Sequence, residues 1–177
     1  HAALGDAAVS LLRDLNNATC RTSPCCNEYI FHWLEAGADI LYPHWAKVKL
    51  VLDLLESRRT SVLFLDMDAW LNDPLWCPSF QPQDGLLIAP DPKPWTQPLN
   101  AGFFVVRDNV HGAAIMRAWW REYEDSTSKC WGAGGGCEGC RRNFSTCVSP
   151  CIYGGNCSDQ FALKEVVWPA FRQHIRL

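Results

Sequence analysis

The sequence predicts an α/β sandwich around a mostly parallel central sheet, built as one domain over residues 1–177. Three observations carry that prediction. Short, continuous apolar runs alternate with longer segments of helical periodicity. Several of the apolar runs end near an aspartate, as expected where buried strands open into loops. No linker is long enough to divide the chain, and there are no internal repeats.

The elements follow in chain order. After a polar, cysteine-containing start, NEYIFHWLEAGADILYP reads as a short helix that passes through Gly37 into the strand ADILY. HWAKVKLVLDLLESRR places Val48, Val51, Leu52 and Leu55 at helical spacing, which gives it one apolar face. SVLFL is a buried strand, and GLLIAPD and GFFVVRD are two more, the last entered through the small-residue turn LNAG. HGAAIMRAWWREYED reads as a helix. Residues 130–157 form a loop-dominated, cysteine-rich insertion, and SDQFALKEVVWPAF is the last helix, with Ser158 as its N-cap.

Composition narrows the class. At 48% hydrophobic residues, the chain can bury a sizeable core. A net charge of −3 with scattered Lys and Arg offers no basic stripe, so a nucleic-acid partner is not expected. No apolar run approaches the roughly 18 residues of a membrane span. The chain starts at His1 with no signal peptide, so a membrane anchor is expected only in sequence upstream of it. Six of the ten cysteines fall between Cys130 and Cys157. The C-x₂-C pair Cys137 and Cys140 would suit zinc, but Cys147 and Cys151 break the spacing and no histidine lies between Cys130 and Cys157. The sequons at Asn17, Asn143 and Asn156 favour disulfides, and with them an oxidising secretory-pathway compartment.

The chemistry is concentrated at SVLFLDMDAWLNDP. In a strand, residues two apart share a side, so Asp66 and Asp68 project together while Met67 faces away. Two carboxylates about 7 Å apart at the rim of a core repel unless a cation sits between them. Their hard oxygens suit Mn²⁺ or Mg²⁺. A bare D-x-D is more often a solvated strand end, because Asp is common where strands become turns, and the surrounding blocks are what shift the balance.

HWAKVKLVLDLL, VLFLDMDAWLNDP, LNAGFFVVRDN with its Trp-bearing helix, and SDQFALKEV occur in that order over roughly residues 43 to 167. Together they resemble the GT-A nucleotide-sugar glycosyltransferases, most closely the Golgi galactosyl- and xylosyltransferase type. The resemblance implies a Rossmann-like three-layer GT-A sandwich. It also implies a sugar nucleotide donor, UDP-linked in most members, a glycan or glycoprotein acceptor, and Mn²⁺ or Mg²⁺ held by Asp66 and Asp68 on the donor diphosphate. Lys47 would then face nucleotide or phosphate, Asn100, Ala101 and Gly102 would line the donor, and Asp159 and Gln160 would be catalytic beside the sugar. The closest likeness is to retaining enzymes. Trp95 could stack on an acceptor sugar, whereas most of the nine tryptophans should be core. His44 and His174 could ligate metal, but a lone histidine is more often structural, and His174 is not assigned.

Two other classes compete. LFLDMDAWL also looks like the first motif of haloacid-dehalogenase-type phosphatases, with Asp66 as nucleophile and Asp68 as acid/base, although Ala69 stands where glycine is frequent and the motif comes late in the chain rather than near its start. The other is a non-enzymatic, disulfide-stapled lumenal binding module. Turnover of a sugar nucleotide, of a phosphomonoester, or of neither separates the three.

Overall fold

The computed structural model describes residues 6–26, 28, 43–66, 69, 71–73, 75–90, 99–129 and 158–177, without the side chains of 6, 7, 9, 43 and 125–129. The NEYIF helix, the ADILY strand, Trp95 and the cysteine-rich stretch 130–157 therefore lie outside the described residues.

The chain opens with helix α1 (Asp6–Thr22), where the sequence had suggested only a polar start. Helix α2 (Pro43–Arg58) leads into strand β1 (Val62–Leu65), followed by β2 (Leu86–Pro90) and β3 (Leu99–Val106). Helix α3 (Val110–Lys129) comes next. The last helical stretch begins as α4 (Asp159–Ala162), widens into a π segment (Leu163–Val167) and ends as α5 (Trp168–Phe171). After a 3₁₀ turn the chain closes on β4 (Ile175–Arg176).

The four strands are ordered β1-β3-β2-β4. β3 lies between β1 and β2 and is antiparallel to both, and only β2 and β4 are parallel. The described sheet is thus mixed, which corrects the expectation of a mostly parallel one. The reason is geometric. Residues 91–98 between β2 and β3 are fewer than the dozen or so that a crossover to a parallel neighbour needs, so the two strands must run in opposite directions. β3 also begins earlier than expected, because LNAG is part of the strand rather than a turn before it.

One apolar core lies between the sheet and the helices. α2 supplies Trp45, Val48, Val51, Leu52 and Leu55, the predicted stripe extended by one turn. α3 adds Ile115, Met116, Trp119 and Tyr123, and the last helical stretch adds Ala162, Leu163 and Val167. The sheet contributes Leu86, Ile88, Leu99, Ala101, Phe104 and Val106. Phe64 stacks on Phe104 with ring centroids 5.1 Å apart, and Trp119 meets Phe104 at 5.5 Å. β1 itself is half-buried along its length rather than fully buried.

The β2–β3 ladder slips between Ile88, paired with Phe104, and Ala89, paired with Asn100. Ala101, Gly102 and Phe103 are left opposite no β2 residue. The β3 positions that join the core accordingly change from Leu99 and Ala101 to Phe104 and Val106 across that slip. Among the described residues no helix is long and apolar enough to cross a membrane.

Candidate functional site

Asp66 follows β1 directly, at its carboxyl end, where ligands bind in α/β sheets. Its backbone N–H donates to the Gly102 carbonyl at 2.8 Å, so the bulged part of β3 fixes the strand's exit. Gly102 is required there for a steric reason. A Cβ on it would stand 2.7 Å from Asp66 Oδ2 and 3.0 Å from Asn100 Oδ1. The absent side chain is the space that the carboxylate fills. Asn100 Oδ1 in turn accepts the Gly102 N–H at 2.8 Å, which holds the bulge in shape.

Lys47 reaches this point from α2. Its side chain is 9% exposed, with Nζ 2.9 Å from Asp159 Oδ2 and 3.9 Å from Asp66 Oδ1. The Phe64 ring lies under the ammonium, 5.8 Å to its centroid. The contact with Asp159 is an ion pair whose angles miss those of a directed hydrogen bond. Asp159 is buried, and its carbonyl accepts the indole N–H of Trp119 at 2.8 Å. Ser158 caps the helix as expected, its hydroxyl accepting the Phe161 N–H at 3.1 Å. Gln160 Oε1 accepts the Ala101 N–H at 3.5 Å, so β3 and α4 are joined through the site. The Ala101 methyl points into the core, so only its backbone is available to a ligand.

The structure thus brings together Lys47, Asp66, Asn100, Ala101, Gly102, Asp159 and Gln160 from four separate stretches of sequence. Asp68 lies outside the described residues. Among those described, no group of three His, Cys, Asp or Glu side chains gathers to hold a metal. The fit to a divalent ion rests on Asp66, a hard-oxygen donor with 43% side-chain exposure, seated in the space that Gly102 vacates.

Sequence reasoning gave two neighbours of the site too little weight. His44, one turn before Lys47 on α2, feels both Asp159 and Lys47. Burial pushes its pKa down from the ordinary histidine value, Asp159 opposes that shift and Lys47 adds to it. His174 is at the other end of the sheet. It stacks on His111 at 3.8 Å, and its Nδ1 lies 2.8 Å from the Gln83 carbonyl oxygen.

The second neighbour is α1, which braces the segment after the acidic motif. Asn16 Nδ2 donates to the Ala69 carbonyl at 3.2 Å, and its Oδ1 accepts the Leu71 N–H at 3.3 Å. Disulfides Cys20–Cys26 and Cys25–Cys77 tie the end of α1 to the same region. Asn17, the one sequon among the described residues, is half-buried on α1.

The family model of the nucleotide-diphospho-sugar transferases matches residues 40–177. Neither a curated protein nor a solved structure matches the chain significantly. The matched region holds every residue of the site just described and takes in most of the chain, and on that match the chain belongs to the nucleotide-diphospho-sugar transferases.

Proposed function

We propose that the chain is a divalent-metal-dependent glycosyltransferase that moves a hexosyl or pentosyl group from a UDP-linked donor to a glycan or glycoprotein acceptor in the secretory pathway, most simply the Golgi lumen. The observation that carries this reading is the seat of Asp66. A part-exposed carboxylate stands at the carboxyl end of a strand, against a glycine with no room for a methyl, with a buried ammonium 3.9 Å behind it. Carboxylate and ammonium in that order suit a ligand that arrives as a cation together with an anionic diphosphate.

Glycosyl transfer breaks the bond between the anomeric carbon and a phosphate oxygen. Negative charge grows on the leaving diphosphate while the sugar becomes oxocarbenium-like. Mn²⁺ or Mg²⁺ held by Asp66 and Asp68 would supply a Lewis acid for that charge. Lys47 offers an ammonium with three donors to the phosphate oxygens. Asn100 and the bulged backbone at Gly102 shape the floor under the donor. Asp159 and Gln160 open the last helix on the sugar side, and of the two only Gln160 is part-exposed. Its carboxamide can support positive charge developing near the anomeric carbon.

The two disulfides tied to the end of α1 support an oxidising compartment. The test is donor hydrolysis over a panel of nucleotide sugars with Mn²⁺. Turnover of a sugar nucleotide, abolished by chelator, is the expected result. Phosphomonoester turnover instead would favour the phosphatase reading, and turnover of neither would favour a binding module.

A further inference from the structure

Lys47 lies between two carboxylates of unequal depth. Asp159 has a side chain 6% exposed and is 2.9 Å from the ammonium, whereas Asp66, 43% exposed, is 3.9 Å away. The deeper acid is held from two sides. Its carbonyl takes the Trp119 indole N–H, and its helix turn is capped by Ser158. An acid so enclosed is poorly placed to meet a substrate, but it is well placed to hold a cation. The 3.9 Å gap to Asp66 exceeds a hydrogen bond and is within reach of small side-chain rotations of a lysine.

We infer that Asp159 is a positioning residue whose buried carboxylate anchors the Lys47 ammonium beneath the site, keeping the lysine toward a ligand's phosphate oxygens and off the Asp66 carboxylate. The inference rests on the transferase reading. Its content is that Asp159 acts through Lys47 and not on the sugar. Without the anchor, the nearest counter-charge for Lys47 among the described residues is Asp66. The lysine then neutralises the carboxylate that a divalent cation needs, and the two compete.

The experiment measures the Mn²⁺ concentration that gives half-maximal UDP binding, by calorimetry, in wild type, Asp159→Asn, Lys47→Gln and the double variant Lys47→Gln/Asp159→Asn. Asp159→Asn is expected to raise that concentration about tenfold, the scale of losing a group that orients a metal ligand. The double variant is expected to match Lys47→Gln, because neither protein has an ammonium to capture Asp66 and both have lost the same phosphate contact. An unchanged requirement in Asp159→Asn, with only a lower thermal midpoint, makes the pair structural and overturns the inference. A higher requirement in the double variant than in Lys47→Gln also overturns it, because Asp159 then acts other than through Lys47. Should Asp159→Asn not fold, the double variant against Lys47→Gln still decides, a higher requirement in the double variant being the contrary result. Wild type that binds no UDP with Mn²⁺ overturns the metal-dependent, UDP-donor reading, and this inference with it.

Discussion

Gly102→Ala puts one methyl group into the place where the account is most exposed to error. The added Cβ would stand 2.7 Å from Asp66 Oδ2 and 3.3 Å from its Cγ. Ordinary contact begins near 3.4 Å, so the carboxylate must withdraw by roughly 0.7 Å. A metal ligand tolerates displacement of only about 0.2 Å before its bond is lost or distorted. Mn²⁺-dependent UDP affinity should therefore fall at least about tenfold, or 1.4 kcal/mol. The fold should hardly notice. Asp66 is part-exposed and can turn toward solvent, no left-handed backbone conformation is required at residue 102, and replacing glycine stiffens the unfolded chain by about 0.4–1 kcal/mol in the opposite sense. The thermal midpoint should stay within about 3 °C of wild type. Calorimetric titration of UDP with Mn²⁺, paired with thermal unfolding, reads both quantities. Wild-type affinity in Gly102→Ala would refute the reasoning, since the space beside Gly102 would then not be where the metal-binding carboxylate must sit.

Other expectations concern the supports of the site. Ser158→Ala removes the cap on the Phe161 N–H and should cost about 1 kcal/mol, seen as a midpoint lower by about 2–4 °C. Cys77→Ser opens a disulfide between cysteines 52 residues apart, which loop entropy values at about 4 kcal/mol; non-reducing thermal unfolding should show the loss, and reductant should erase the difference from wild type. His44 predicts a pH dependence. Its pKa is lowered in the fold, chiefly by burial, so between its ordinary value of about 6.5 and the lower folded value the unfolded chain holds more protons and stability falls as pH falls. Denaturant titrations from pH 8 to pH 5 should show wild type losing stability below about pH 6.5, by up to 1.4 kcal/mol per pH unit more than His44→Gln. Parallel profiles for the two proteins would count against this account of His44.

Much of the site was legible because its residues sit in strongly patterned segments. The periodic apolar face of α2 and the continuous run of β1 placed Lys47 and Asp66 on definite elements, and Ser158 marked where the last helix begins. The resemblance put Asp159 beside the sugar and apart from the metal, and nothing local to SDQ indicates that it pairs with a lysine more than a hundred residues earlier, which itself stands 3.9 Å from Asp66. The direction of β3 was misjudged because the apolar runs were weighed and the short link between them was not counted. Helix α1 went unseen because much of what holds it is tertiary: Asn16 on the Ala69 and Leu71 backbone, and two disulfides. Gly102 was assigned to the donor by the resemblance, its local pattern reading as a turn. Its further role, making room for a carboxylate from another strand, depends on a register slip that pattern alone does not reveal.

The central claim is that Asp66 and Asp68 grip a sugar nucleotide through a divalent metal. It is tested most directly by UDP binding to wild type, Asp66→Asn and Asp68→Asn, each with Mn²⁺ and with chelator. Wild type should bind UDP only with Mn²⁺, and each variant should lose at least about tenfold in affinity, the scale of a removed metal-site group, while folding as stably without ligand. Equal UDP affinity in all three proteins, with Mn²⁺ or with chelator, would contradict it.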